Sequence, residues 1–88
     1  MKLYMKDLEN CFETAIKLSY TYIGVKIDIV GFEKPEIVIN SKENFEDKLD
    51  YFKKAYDENL MLVNNPNIRI IGFAAADTFE DLEELLYE

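Results

Sequence analysis

The chain has 88 residues, enough for one domain with a single core and too few for a second. Hydrophobic residues make up 49% of it, which sets it apart from disordered tails, and its apolar runs fall far short of the roughly 20 residues that cross a bilayer. The net charge of −8, with no histidine, disfavours contact with nucleic acid or anionic lipid and favours encounter with a basic surface.

Asp7 reads as the cap of a first helix, with Asn10 three residues on. Leu8, Cys11, Phe12, Ala15 and then Leu18 or Ile16 form its inward stripe, while Glu9, Glu13 and Lys17 point outward. Tyr20-Thr21-Tyr22-Ile23 changes to strand formers, so the helix should end around Ser19, and Gly24 reads as a breaker. Val25 to Val30 then alternates cleanly, with Val25, Ile27 and Ile29 on one side and Lys26 and Asp28 on the other as a cross-strand or solvent-facing pair. Gly31 to Pro35 is a turn region and Glu36–Ile39 resumes as a strand, which makes a first hairpin.

Asn40 to Asn59 is the central helix of this reading. Phe45, Leu49, Phe52 and Tyr56 recur at steps of four, three and four, and a helix with one apolar face must lay it on something. Asn40 with Glu43 reads as a cap and its capping-box partner, with Ser41 the alternative cap. The helix should stop near Asn59. Leu60–Val63 then forms a strand, Asn64-Asn65-Pro66-Asn67 a turn, and Ile68–Phe73 the second strand of a second hairpin; the other reading continues the helix through Val63. Gly72 and Ala74-Ala75-Ala76 mark a place where backbone packs closely or the strand leaves the sheet. Thr78-Phe79-Glu80-Asp81 opens a last helix with a capping motif, and Phe79, Leu82, Leu85 and Leu86 form its buried stripe. The sum is a single α+β domain over residues 1–88: about four mainly antiparallel strands in two hairpins, packed with three helices in the order α-β-β-α-β-β-α.

The catalytic inventory is thin. Without histidine the chain lacks the commonest general base and the commonest metal ligand. Cys11, the single cysteine, has no partner to activate it and reads as a core thiol. No nucleophile motif, glycine-rich phosphate loop or calcium-binding loop is present, so the expectation is no enzyme, no cofactor and no metal site. Met1-Lys2 is followed by no apolar signal core, and the expected compartment is cytoplasmic.

Charge carries the functional expectation. Residues 1–19 balance, and residues 42–58 hold four lysines against six acids. From Asp77 onward there are Asp77, Glu80, Asp81, Glu83, Glu84 and Glu88 and no base. Helix dipole preference accounts for Glu80 and Asp81 in a first turn; Glu84 and Glu88 sit toward the negative end, where it disfavours them. The candidate partner-binding residues are therefore Glu80, Asp81, Glu83, Glu84 and Glu88, with Tyr87 as a half-exposed phenol of the kind enriched at interfaces. In size, charge and missing catalytic equipment the chain resembles small acidic phage-encoded inhibitors of bacterial defence, including anti-CRISPR proteins and DNA mimics. The resemblance covers no motif and transfers no residue. It implies a non-enzymatic inhibitor or interaction protein that docks on a basic surface of a partner protein, such as a nucleic-acid-binding protein, without contacting nucleic acid or membrane itself. The two alternatives are a self-associating accessory subunit that forms a homodimer through exposed tyrosines and a sheet edge, and a minimal enzyme or metal binder using carboxylates.

Overall fold

Tyr22–Ile29 forms β1, a strand that receives helices on both of its faces. The computed structural model describes residues 2–87. Along them α1 (Met5–Leu18) precedes β1, and β2 (Glu36–Ser41), a short 3₁₀ turn (Lys42–Asn44), α2 (Phe45–Ala55), β3 (Met61–Leu62), β4 (Asn65–Ala76) and α3 (Phe79–Leu86) follow it. The strands build one antiparallel sheet in the order β2-β1-β4-β3, so the expected architecture is the observed one.

Ile23, Val25 and Ile27 project to the side of α1 and α2 and are at most 8% exposed. There they join Leu8, Phe12 and Ala15 of α1, and Phe45, Phe52 and Tyr56 of the α2 stripe. The Phe12 ring meets Phe45 edge-on at 5.8 Å and Phe52 at 6.1 Å, which locks the two helices to each other as well as to the sheet. α3 takes the opposite face, over Gly24, Lys26 and Gly72.

Gly24 is not a breaker. It lies buried in mid-strand, and a Cβ there would stand 2.7 Å from Leu86 Cδ1. Its glycine clears room for α3, and the cross-strand neighbours Ala74, Gly72 and Ala76 continue the low floor. The small-residue run thus marks close packing and stays in the sheet. A bulge at Ile71, where Ile27 pairs with Ile70 but Lys26 with Gly72, resets the alternation before that floor begins.

Several helix ends differ from the sequence reading. Asp7 is the third residue of α1 rather than its cap; its carboxylate accepts the Tyr4 amide at 2.8 Å. Ser19 closes the helix in the left-handed conformation, φ 60°. Ile16 and Leu18 are both exposed, because the sheet lies under only the middle of α1's stripe. Asn40 does not cap the central helix: it is the next-to-last residue of β2, is buried, and its Nδ2 donates to the Ile23 carbonyl at 3.2 Å. α2 is accordingly shorter than Asn40–Asn59. It ends where Tyr56 turns to an extended conformation, so that its ring stays in the core and its backbone bridges to Leu62. β3 is two residues rather than four. Leu60, fully buried at φ 64°, steers the chain into it, and the reversal falls at Val63-Asn64, so that β4 begins at Asn65 and runs through Pro66.

The floor under α3 is testable by volume. Gly24→Val should destabilise the fold by about 1–3 kcal/mol through overpacking against Leu86. Gly72→Ala, whose new methyl meets nothing nearer than 3.8 Å, should be neutral to stabilising by up to about 1 kcal/mol. Urea denaturation of the two variants beside wild type measures both.

Candidate functional site

α3 is held from three directions. Thr78 caps its start, Oγ1 accepting the Asp81 amide at 3.1 Å, as the capping motif predicts. Asp77, just outside, accepts from both the backbone amide and the hydroxyl of Thr21 at 3.0 Å each, which ties the helix entrance to the beginning of β1. At the other end Lys26 emerges from beneath the helix, its Nζ donating to the Leu86 carbonyl and lying 5.9 Å from the Tyr87 ring centroid. Lys26 is therefore not half of a pair with Asp28. It supplies the cation that the last turn of α3 lacks in its own sequence.

A helix lying on one sheet with no neighbour beside it buries only the centre of its apolar stripe. Leu82 and Leu86 occupy that centre, at 1% and 6% exposure. Phe79 and Leu85, expected in the buried stripe, are its flanks and stand 51% and 57% exposed. Phe79 leans on Tyr22, ring centroids 4.7 Å apart. Leu85 lies on the other flank, over β4.

The acidic candidates divide in the same way. Glu80, Asp81, Glu83, Glu84 and Tyr87 are all exposed; Glu88 lies outside the described residues. Asp81 and Glu84 come together with Asp77, Tyr20 and Leu85 around a shallow groove above Ala75 and Ala76. At about 100° per residue, Glu84 lies opposite the line of Leu82 and Leu86, with Asp81 toward Leu85, Glu80 toward Phe79 and Glu83 on the far flank. The candidate acids thus divide, with Asp81 and Glu84 lining a groove beside Leu85 and Glu80 and Glu83 outside it. Sequence reasoning missed Leu85 as a surface group, and Lys26; Tyr20 reads from the sequence as a half-exposed phenol at an element end, without its place beside α3. Only the strand alternation of Lys26 hinted at its orientation, and nothing local announced its partner 60 residues away.

The sole ion pair within 4 Å among the described residues joins Lys53 to Glu9, at 3.8 Å, far from α3 in the chain. Among the described residues no three Cys, Asp or Glu side chains gather as a metal-binding group. Cys11 is partly buried, and desolvation pushes its thiol up to about 11. No helix of the described residues is long and apolar enough to cross a membrane. No family model, curated protein or solved structure matches the chain.

The Cys11 shift has a defined sign. The thiol ionises around its ordinary 9.0 in the unfolded chain and at about 11 in the folded one, so its contribution to stability is complete below pH 9 and is lost as pH rises toward 11. Stability measured by urea denaturation should fall more steeply over that range for wild type than for Cys11→Ala, a comparison that cancels the tyrosines. Alkylation of the native protein near neutral pH should be at least about 10-fold slower than of the unfolded chain.

Proposed function

We propose that this chain is a non-enzymatic interaction domain that presents α3 to a basic surface of a partner protein. The observation that carries the reading is the unneutralised acid of α3: four exposed carboxylates on an eight-residue helix, none with an ion-pair partner among the described residues. Glu84 stands in the C-terminal half of the helix, where the dipole disfavours an acid and where Lys26, bound to the Leu86 carbonyl, is already engaged. A protonated, desolvated Cys11 supports a binding role over thiolate chemistry. Exposed Leu85, Phe79 and Tyr87 beside the acids supply the apolar contact that a purely electrostatic surface lacks. A nucleic-acid-binding protein is the finer form of this proposal: its cationic surface is built for phosphates, and closely spaced carboxylates would compete for it, as in an inhibitor of the anti-CRISPR or DNA-mimic kind.

Charge reversal tests the reading. Glu80→Lys with Glu84→Lys should leave the melting temperature close to that of wild type, since a lysine at 80 loses the first-turn dipole preference for an acid while one at 84 gives the last turn of α3 the base it lacks. Affinity capture from the native host at low and high salt should retain a basic protein with wild type and lose it with the double variant, and the salt dependence of binding should flatten. Equal retention of that protein by both forms at low salt would reduce the acids to a solvated surface.

A further inference from the structure

β4 is only half covered. β3 pairs with it from Asn65 to Arg69 and then ends, because Leu60 turns the chain away. Beyond the bulge, Ile71–Ala76 has β1 on one side and no strand on the other. The direction of its backbone groups follows from the ladder. Val30 donates to the Asn67 carbonyl, so even-numbered residues of β1 face β4, and Gly72, Ala74 and Ala76 face them in return. Ile70 donates outward to the Leu60 carbonyl. After the bulge the outward positions are Phe73 and Ala75, and no hydrogen bond among the described residues reaches the amide or carbonyl of either.

This edge lies at the bottom of a trough rather than on an open rim. Two shallow grooves lie along it and share Leu85. One is lined by Leu3, Lys26, Ile71, Gly72, Phe73 and Leu85, and the other by Tyr20, Ala75, Asp77, Asp81, Glu84 and Leu85. Leu3 and Tyr20, at the two ends of α1, bound one wall; Leu85, Asp81 and Glu84 of α3 form the other. We infer that this edge is a docking groove in which an extended segment of the basic partner adds as a further strand beside β4. Six residues of edge span about 20 Å, the length of a common strand. A strand laid there alternates its side chains between the α1 wall and the α3 wall. Toward α3, a lysine or arginine stem covers Leu85 while its charged head reaches Asp81 and Glu84. Toward α1, an apolar side chain meets Leu3 or Tyr20. Main-chain bonds to Phe73 and Ala75 give affinity, and the acidic wall selects the basic sequence. The exposure of Leu85 and the unpaired amides thereby have one explanation. This inference rests on the acidic-surface reading and specifies how the partner is held.

The test uses an eight-residue peptide of alternating valine and lysine, and the same peptide with every backbone nitrogen methylated, which keeps the charge and removes edge pairing. The unmodified peptide should bind saturably by fluorescence polarisation, and methylation should weaken it at least about 10-fold. Amide exchange at Phe73 and Ala75 should slow on binding, and Leu85→Ser should weaken the unmodified peptide. If both peptides bind equally and amide exchange at Phe73 and Ala75 does not slow, the edge is not used and only the acidic surface remains. Absence of saturable binding by the unmodified peptide overturns the groove without touching the acidic-surface reading, which the host capture decides. Concentration-dependent protection of Phe73 and Ala75 in the protein alone would mean that a second copy closes the edge, and would overturn it equally.

Discussion

Everything in this domain depends on β1 carrying a helical layer on each face. Strand geometry sends alternate side chains to opposite sides, so the two layers are specified by interleaved residues of one segment. Ile23, Val25 and Ile27 fill the side of α1 and α2 with branched apolar groups. Between them, Gly24 removes the side chain so that Leu86 and Leu82 can rest on the backbone, and Lys26 reaches out to the end of α3. A register slip of one residue would put isoleucine under α3 and glycine under the aromatic cluster, which both layers forbid.

The two layers are unequal. On one side, α1 and α2 interlock through Phe12, Phe45 and Phe52 and leave little of their stripes uncovered near the sheet. On the other, α3 stands alone, held by two leucines, its Thr78 cap, the Asp77–Thr21 bonds and Lys26. An isolated helix of eight residues has little stability of its own in water, so its position is determined by those tethers. The unequal packing leaves an acidic, partly apolar surface on that side. The early end of β3 leaves the neighbouring strand edge open, and both features converge on Leu85.

Asn40 is the polar exception inside the larger layer. Its Nδ2 reaches the Ile23 carbonyl, while its Oδ1, also buried, has no partner among the described residues. A buried amide that is half satisfied costs stability relative to an apolar residue. Its bond to Ile23, its register partner on β1, ties β2 to the position where the alternation begins. Asparagine at this place therefore favours one strand register over the others at the expense of some stability.

The sequence by itself determined the element order, the first hairpin, the stripe of α2, the Thr78 cap and the concentration of acid toward the C-terminal end, because each is a local periodicity, a local turn chemistry or a count. Tertiary structure alone decided whether Gly24 broke a strand or floored a helix, since that depends on Leu86, which is remote in the chain. The same holds for Asn40, which has the pattern of a cap but lies in β2, where burial against Ile23 outweighs local capping preference. It holds for the second hairpin, whose strand is cut short by the buried left-handed Leu60. For the candidate site, the acidic residues of α3 were legible and their grouping was not. A helical stripe states which residues lie near one another on the helix, but how many of them are covered depends on the flatness of the sheet beneath. Leu85 and Phe79 stay exposed because α3 has a floor and no neighbouring helix, a fact of packing that no spacing in the chain encodes.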